Sequence, residues 1–401
     1  MIKKLKILLL VFAFSCTSTY DIPSAFEVNI LVTYPDAFNN GNPISNTEVK
    51  VQNIQTGREY SATTNDSGIA TLNVRGGNYD IVVSLSEEHE IEIDGYPIRK
   101  TILFSGTLTG QLVTFDKETF TIKTEYSIAN EGFVIKELYV SGSRTPEGKA
   151  YGADKFIEIY NNSDQVLYAD GLCYGLVYPI STEKPTTFID KNGDLLDRCP
   201  VWSFVSIVPG SGTDYPIQPG KSFILALSAL NHKDDPNGNP NSIDLSIADW
   251  ELHSDNSMYI DVPSVPNVLM QRINKGNISL SVRGQVSILF RLPSSNLETI
   301  FTDVDNYMVE PGGVKQCFMV PWSWIIDGVE NARLDDDGVY KRLHSSIDVG
   351  YIQFRGSYEG VSIRRKVKEV INGRVVYKDT NNSAEDFLTN QQPQPGVIET
   401  N

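Results

Sequence analysis

The side chains best placed to do chemistry lie in one stretch, Asn231–Trp250, which reads NHKDDPNGNPNSIDLSIADW. His232, Asp234, Asp235, Asn237 and Asn239 bring an imidazole, two carboxylates and two amides close together in the chain. That is a donor set for a hard or borderline cation. Asp244 and Asp249 add two acids nearby. The competing reading is a polar loop, since Asn, Asp, Pro and Gly are also the common turn formers, followed by a short helix capped by Asp244 or Ser246. Asp190-x-Asn192-x-Asp194 opens like a calcium loop, but Gly193 comes one position early and no Glu follows where the loop needs one. A hairpin turning at Asn192-Gly193 is the better reading. Asp335-Asp336-Asp337-Gly338 is a second cation candidate or a solvated turn, and Glu87-Glu88-His89-Glu90 reads as a solvated loop. Trp322 and Trp324, in MVPWSWIIDG, could platform a sugar or a partner. Alternation puts both on one face of a strand, where core packing competes.

Common catalytic spacings are missing from the chain. It carries no HExxH, GxSxG, P-loop or GxGxxG. The four histidines share no ligand spacing, and among 50 acidic residues no carboxylate pair can be singled out. A non-catalytic protein is the expectation, with a hydrolase hidden in the inserts as the minority reading. Beyond Cys16, the cysteines are Cys173, Cys199 and Cys317, with no CxxC. In an oxidising compartment Cys173 and Cys199 would pair; the alternative is three buried thiols. No cofactor is called for, apart from a cation at the His232 loop.

The elements that must position these groups are strands. The 401-residue chain is 40% hydrophobic and 21% charged, rich in Tyr, Phe, Gly and Pro, without long Ala/Leu/Glu runs. Phe26–Tyr34 alternates, Val49 and Val51 share a face, and Asn65-Asp66-Ser67-Gly68 is a tight turn. Further strands are expected over Ile69–Val74, Tyr79–Leu85, Phe133–Tyr139, Lys155–Tyr160 and Lys221–Ala226. The fold class is therefore all-β: two sandwich domains over 26–125 and 133–390, the second carrying long loop inserts. Residues 391–401 read as a flexible tail. A net charge of −16 repels nucleic acid and anionic lipid heads, and tolerates cations or a basic partner.

Residues 1–15 carry a short basic start and an apolar run, Ile7–Phe14, far too short to span a bilayer. They read as a signal peptide. Ala13-Phe14-Ser15-Cys16 resembles a bacterial lipobox, although Phe14 departs from it. The resemblance implies lipidation of Cys16, with residues 16–25 as a tether and the cell envelope as the address. Pro43-Ile44, the Val-x-Val of Val49 and Val51, Thr56-Gly57 and the Asn65–Gly68 turn resemble carboxypeptidase-regulatory-like, Ig-like domains. Glu137, Glu158, Tyr160, Asn161, Arg364 or Arg365, Asn382, Ser383 and Phe387 resemble the pattern of the lamin-tail domain, another Ig-like sandwich, in which such positions mostly hold the fold. Together these features look like a Bacteroidetes-type outer-membrane lipoprotein family of unknown function. What that implies is a binding or accessory module, working beside a TonB-dependent transporter and binding no nucleic acid. A surface adhesin or a structural spacer is the alternative.

Overall fold

The computed structural model describes residues 25–36, 38–93, 96–128, 132–234, 239–252, 259–274, 278–293, 296–334 and 338–399. Among them strands dominate, the sheets stack as sandwiches and none closes into a barrel.

The N-terminal strands are β1 (Phe26–Thr33), β2 (Glu48–Asn53), β3 (Glu59–Thr63), β4 (Ile69–Val74), β5 (Gly77–Ile93), β6 (Tyr96–Val113), β7 (Glu118–Lys123) and β8 (Glu125–Ile128). Side chains alternate across a strand, so one apolar residue in two suffices to build a face. Val28, Ile30 and Val32 of β1, Val49 and Val51 of β2 and Ile81 and Val83 of β5 do this, and all are buried in one core. One sheet runs β4-β1-β7 and the other β3-β2-β5-β6-β8. Between β7 and β8 the chain changes sheets at buried Thr124, whose amide and hydroxyl both donate to the Thr33 carbonyl. Asn65 Oδ1 accepts from the Ser67 and Ile69 amides and Gly68 takes φ +72°, which makes this stretch a turn. Glu87-Glu88-His89-Glu90, expected on a loop, instead falls inside β5, which pairs with β6 from Gly77 opposite Val113 to Ile93 opposite Tyr96.

The second sandwich is built differently. One sheet orders Trp250–Glu251, Ser222–Ala226, Phe156–Asn161, Phe133–Tyr139, Ser362–Arg365 and Phe387–Gln391. The facing sheet is centred on Arg198–Ile207, Leu172–Val177 and Ser287–Arg291. Phe133, Ile135, Ile157, Phe223, Leu172, Phe204 and Leu289 meet in the core between them. The outer faces are covered as well. Leu245 and Ala248 lie over Phe156 and Ile224. Ile300 and Leu343 lie over Cys199, Val201 and Phe290. Strands covered on both sides are buried at every residue, and so lose the alternation that marks a half-exposed strand.

Three expectations change here. The inserts of the second sandwich are not all loop, since Arg198–Ile207 is a central strand. Residues 242–249 form turns rather than a helix. The tail is packed as far as residue 399. Gln394 N–H donates to Glu137 (3.2 Å), Gly396 N–H donates to Glu158 (3.1 Å), and Glu399 pairs with Arg364. Buried carboxylates need donors, and this segment supplies them.

The charged residues of the second sandwich explain its closure. Lys136 Nζ lies 2.7 Å from Glu158 Oε2, both fully buried. Arg365 donates through Nε to the Ile135 carbonyl (2.9 Å), through Nη2 to Asp327 (2.6 Å) and through Nη1 to Asp379 (3.2 Å), while its guanidinium stacks 4.5 Å from the Phe387 ring centre. Ile135 and Asp327 belong to opposite sheets, so one side chain ties the two layers to the Lys378–Asp386 loop.

Candidate binding cleft

Among its described residues, the expected cation loop does not assemble. His232 is buried, with Nε2 2.9 Å from the Ser228 carbonyl and Nδ1 2.7 Å from the Tyr151 hydroxyl. A carbonyl can only accept, so Nε2 carries a proton, and in the neutral ring Nδ1 then accepts from Tyr151. Asn239 also turns inward. Its amide donates to Ser143 Oγ (2.8 Å), which with Ser242 Oγ and Tyr139 hydroxyl donates to Asp154 Oδ2. Asp234 is exposed and accepts from Asn231 (2.6 Å). Asp235 and Asn237 lie outside the described residues, as do Cys16 and Asp335–Asp337. Asp190 Oδ1 is taken by the amides of Asn192 and Asp194, at 2.8 and 3.0 Å, which makes a turn of the calcium-like stretch. Among the described residues no three His, Cys, Asp or Glu side chains gather so as to hold a metal ion.

Trp322 and Trp324 sit on a 3₁₀ turn rather than a strand, so alternation does not apply to them. Both pack half-buried on the core. Trp322 Nε1 donates to the Leu196 carbonyl (2.7 Å) and its ring stacks on His344. Cys173 and Cys199 do not pair. Cys173 lies opposite Ile207, whereas Cys199 sits eight residues further along that same strand, beyond Val201 opposite Val177, and both are free thiols. A disulfide spans at most about 7 Å between Cα atoms. Cys173, Cys199 and Cys317 are buried free thiols, and burial pushes Cys173 and Cys317 up to about 12. These three should stay silent toward a thiol reagent such as Ellman's in the native protein and all react in denaturant; rapid native labelling of any one would contradict the packing.

Concave space lies elsewhere, between the sandwiches. The outer face of β2, β5 and β6 presents Lys50, Gln52, Asp80, Val82 and Thr107, aligned by register, with Lys50 opposite Val82 and Gln52 opposite Asp80. Across from it stand Lys341, Gly350–Gln353, Lys366, Glu385 and Leu388 of the second sandwich. The cleft they enclose holds about 570 Å³, within the usual range for ligand sites. One end is pinned by a Lys50–Glu385 ion pair, and just beyond it Ser84 Oγ donates to the Thr380 carbonyl (3.1 Å). Ser105 Oγ also donates to the Ser345 carbonyl (2.6 Å).

The electrostatics of the cleft are uneven. Lys341 Nζ is held by Glu330 (2.8 Å) and the Gly350 carbonyl (2.5 Å). Glu385 collects Lys50 and Lys378 on its carboxylate and Lys366 on its carbonyl, and the Lys50 contact holds its carboxyl below the usual range. Burial pushes the Asp80 carboxyl up, against the Gly110 N–H it accepts at 2.9 Å. The Tyr351 phenol is pushed up by burial and then by Asp80 and Glu59. None of these residues stood out in the sequence as a site. The one signal available was the Glu48-x-Lys50-x-Gln52 face of β2, which reads as an ordinary solvated edge until a second domain covers it.

No curated protein matches the chain. Its fold is similar to the crystal structure of a DUF4876 family protein from Bacteroides thetaiotaomicron VPI-5482, with a TM-score of 0.61 and 24% identity over 93% of this chain and 98% of that one. Residues 218–394, the C-terminal two thirds of the second sandwich with one wall of the cleft, match the family model described as "Protein of unknown function (DUF4876)".

Proposed function

We propose that this chain is a non-catalytic binding or accessory protein of the cell envelope, anchored through a lipid on Cys16 and holding its ligand in the cleft between the sandwiches. The observation that carries the reading is the cleft itself. Rigid sheets form both walls, and sites between domains are where ligands are commonly held. Lys50 and Lys341 are paired with carboxylates of the chain, while Lys366 is positioned by a backbone carbonyl that leaves its charge unneutralised, which suits recognition better than nucleophilic chemistry. The lipobox-like Ala13–Cys16 supports the address, and a TonB-dependent transporter is the partner that the resemblance of the whole arrangement implies.

The test is native mass spectrometry, with elemental analysis, on protein purified from its own envelope. Thr107→Trp, which fills the cleft, and Cys16→Ser accompany the natural sequence. The expected result is a mass beyond the lipidated polypeptide that Thr107→Trp loses, membrane release on Cys16→Ser, and a co-purifying transporter. A bare polypeptide with no ligand and no partner overturns the proposal.

A further inference from the structure

The two ends of the cleft carry opposite unspent charge. At one end the ammonium groups of Lys50 and Lys366 line the cleft and Glu385 is the acid beside them, Lys366 meeting its backbone carbonyl rather than its carboxylate. Positive charge is in excess there. At the other end stand Glu59 and Asp80, while Lys341 is already paired with Glu330. Negative charge is in excess there, and it bears on Tyr351, whose phenol feels both carboxylates. Register sets the spacing. Lys50 faces Val82 and Asp80 faces Gln52, so the two ends are two residues apart along paired strands, roughly 7 Å at about 3.3–3.4 Å per residue. The lysine and carboxylate side chains extend that span on both sides.

We propose that the cleft takes a small zwitterion: an amino acid or short peptide, with its carboxylate at the Lys366 end and its ammonium at the Asp80 end beside the Tyr351 ring. This rests on the reading of the cleft as the ligand site. A ligand of that form supplies the charge each end lacks, and the two ends together fix its direction. An ammonium beside a phenol ring gains further attraction from the π face. A singly charged ligand satisfies one end and leaves the other unmatched.

The test uses calorimetric titration of the full chain with the dipeptide Ala-Ala, its N-acetyl form and its C-terminal amide. Ala-Ala should bind, and each capped form should bind at least about tenfold more weakly, the loss of one charge-assisted contact. Asp80→Asn should weaken Ala-Ala while leaving the N-acetyl form unchanged. Lys366→Met should weaken Ala-Ala while leaving the amide unchanged. Circular dichroism checks that both variants are folded, and Asp80→Glu, which keeps the charge, should restore binding in part. Equal affinity for capped and free peptides overturns the inference. So does no binding of Ala-Ala by a protein whose native mass still shows a cleft ligand, and in that case the cleft reading survives without it. No cleft ligand and no peptide binding would sink both.

Discussion

Replacing Arg365 with Met is expected to cost about 3–5 kcal/mol of folding stability, the usual result of stranding buried charges without their partner. Arg365 is fully enclosed and faces Asp327, Asp379 and Asp386 at 2.6, 3.2 and 3.9 Å. Three carboxylates against one guanidinium leave the cluster short of positive charge. Burial therefore pushes Asp327 above the ordinary carboxylate range and Asp379 up to about 7, with Arg365 opposing and the neighbouring acids adding. The native state keeps a proton that the unfolded chain gives up near pH 4. The unfolded state then binds fewer protons, so this cluster's contribution to stability falls as pH rises from about 4 to about 7. Asp379→Asn removes the surplus charge. It should flatten that slope and cost little or nothing at pH 8, while Arg365→Met loses most at pH 8, where the stranded carboxylates are charged. Denaturant titrations of both variants at pH 5 and pH 8 check this. Equal losses in the two variants at pH 8 would mean that the cluster is not starved of positive charge.

Lys136 and Glu158 give the second large effect. Lys136→Met leaves Glu158 buried with the Ser222 hydroxyl and the Gly396 amide as its donors, and a loss of about 3 kcal/mol is expected. Glu158→Leu alone leaves the ammonium stranded at similar cost. The double variant should recover most of it, because a buried pair can be exchanged for apolar groups at little net expense. Strictly additive losses in the double-variant cycle would show that the two charges do not depend on each other.

How far the fold could be read in advance depended on how many faces of each strand meet water. In β1 and β2, Val28, Ile30, Val49 and Val51 alternate with polar neighbours, and both strands were legible. In Phe133–Tyr139 and Phe156–Asn161 both faces are covered, so Lys136, Glu137 and Glu158 broke the pattern without marking a surface. A family-like pattern identified Glu137 and Glu158 as structural residues, but not Lys136, and their burial and pairing did not follow from it. Arg198–Ile207 was hidden inside an apparent insert for the same reason. The tail was misjudged because Gln, Pro and Asn are common in frayed ends, and nothing local says that Glu137 and Glu158 need the amides of residues 394 and 396.

The candidate site shows the same division. His232 and Asn239 carried ligand chemistry by residue type, yet Tyr151, Ser228 and Ser143 absorb it from elsewhere in the chain. Asp80, Tyr351 and Lys366 belong to ordinary strand and loop contexts, and they meet because the polar face of one sandwich stands against the other. The sequence by itself determined the strand-forming composition, the turns at Asn65–Gly68 and Asp190–Asp194, and the acidic balance, since each rests on near neighbours and on residue type. The tertiary structure alone decided which charges are buried, which thiols stay apart and where the cleft lies. Those outcomes depend on contacts between residues tens to hundreds of positions apart, such as Lys50 with Glu385, whose partners local propensity does not specify.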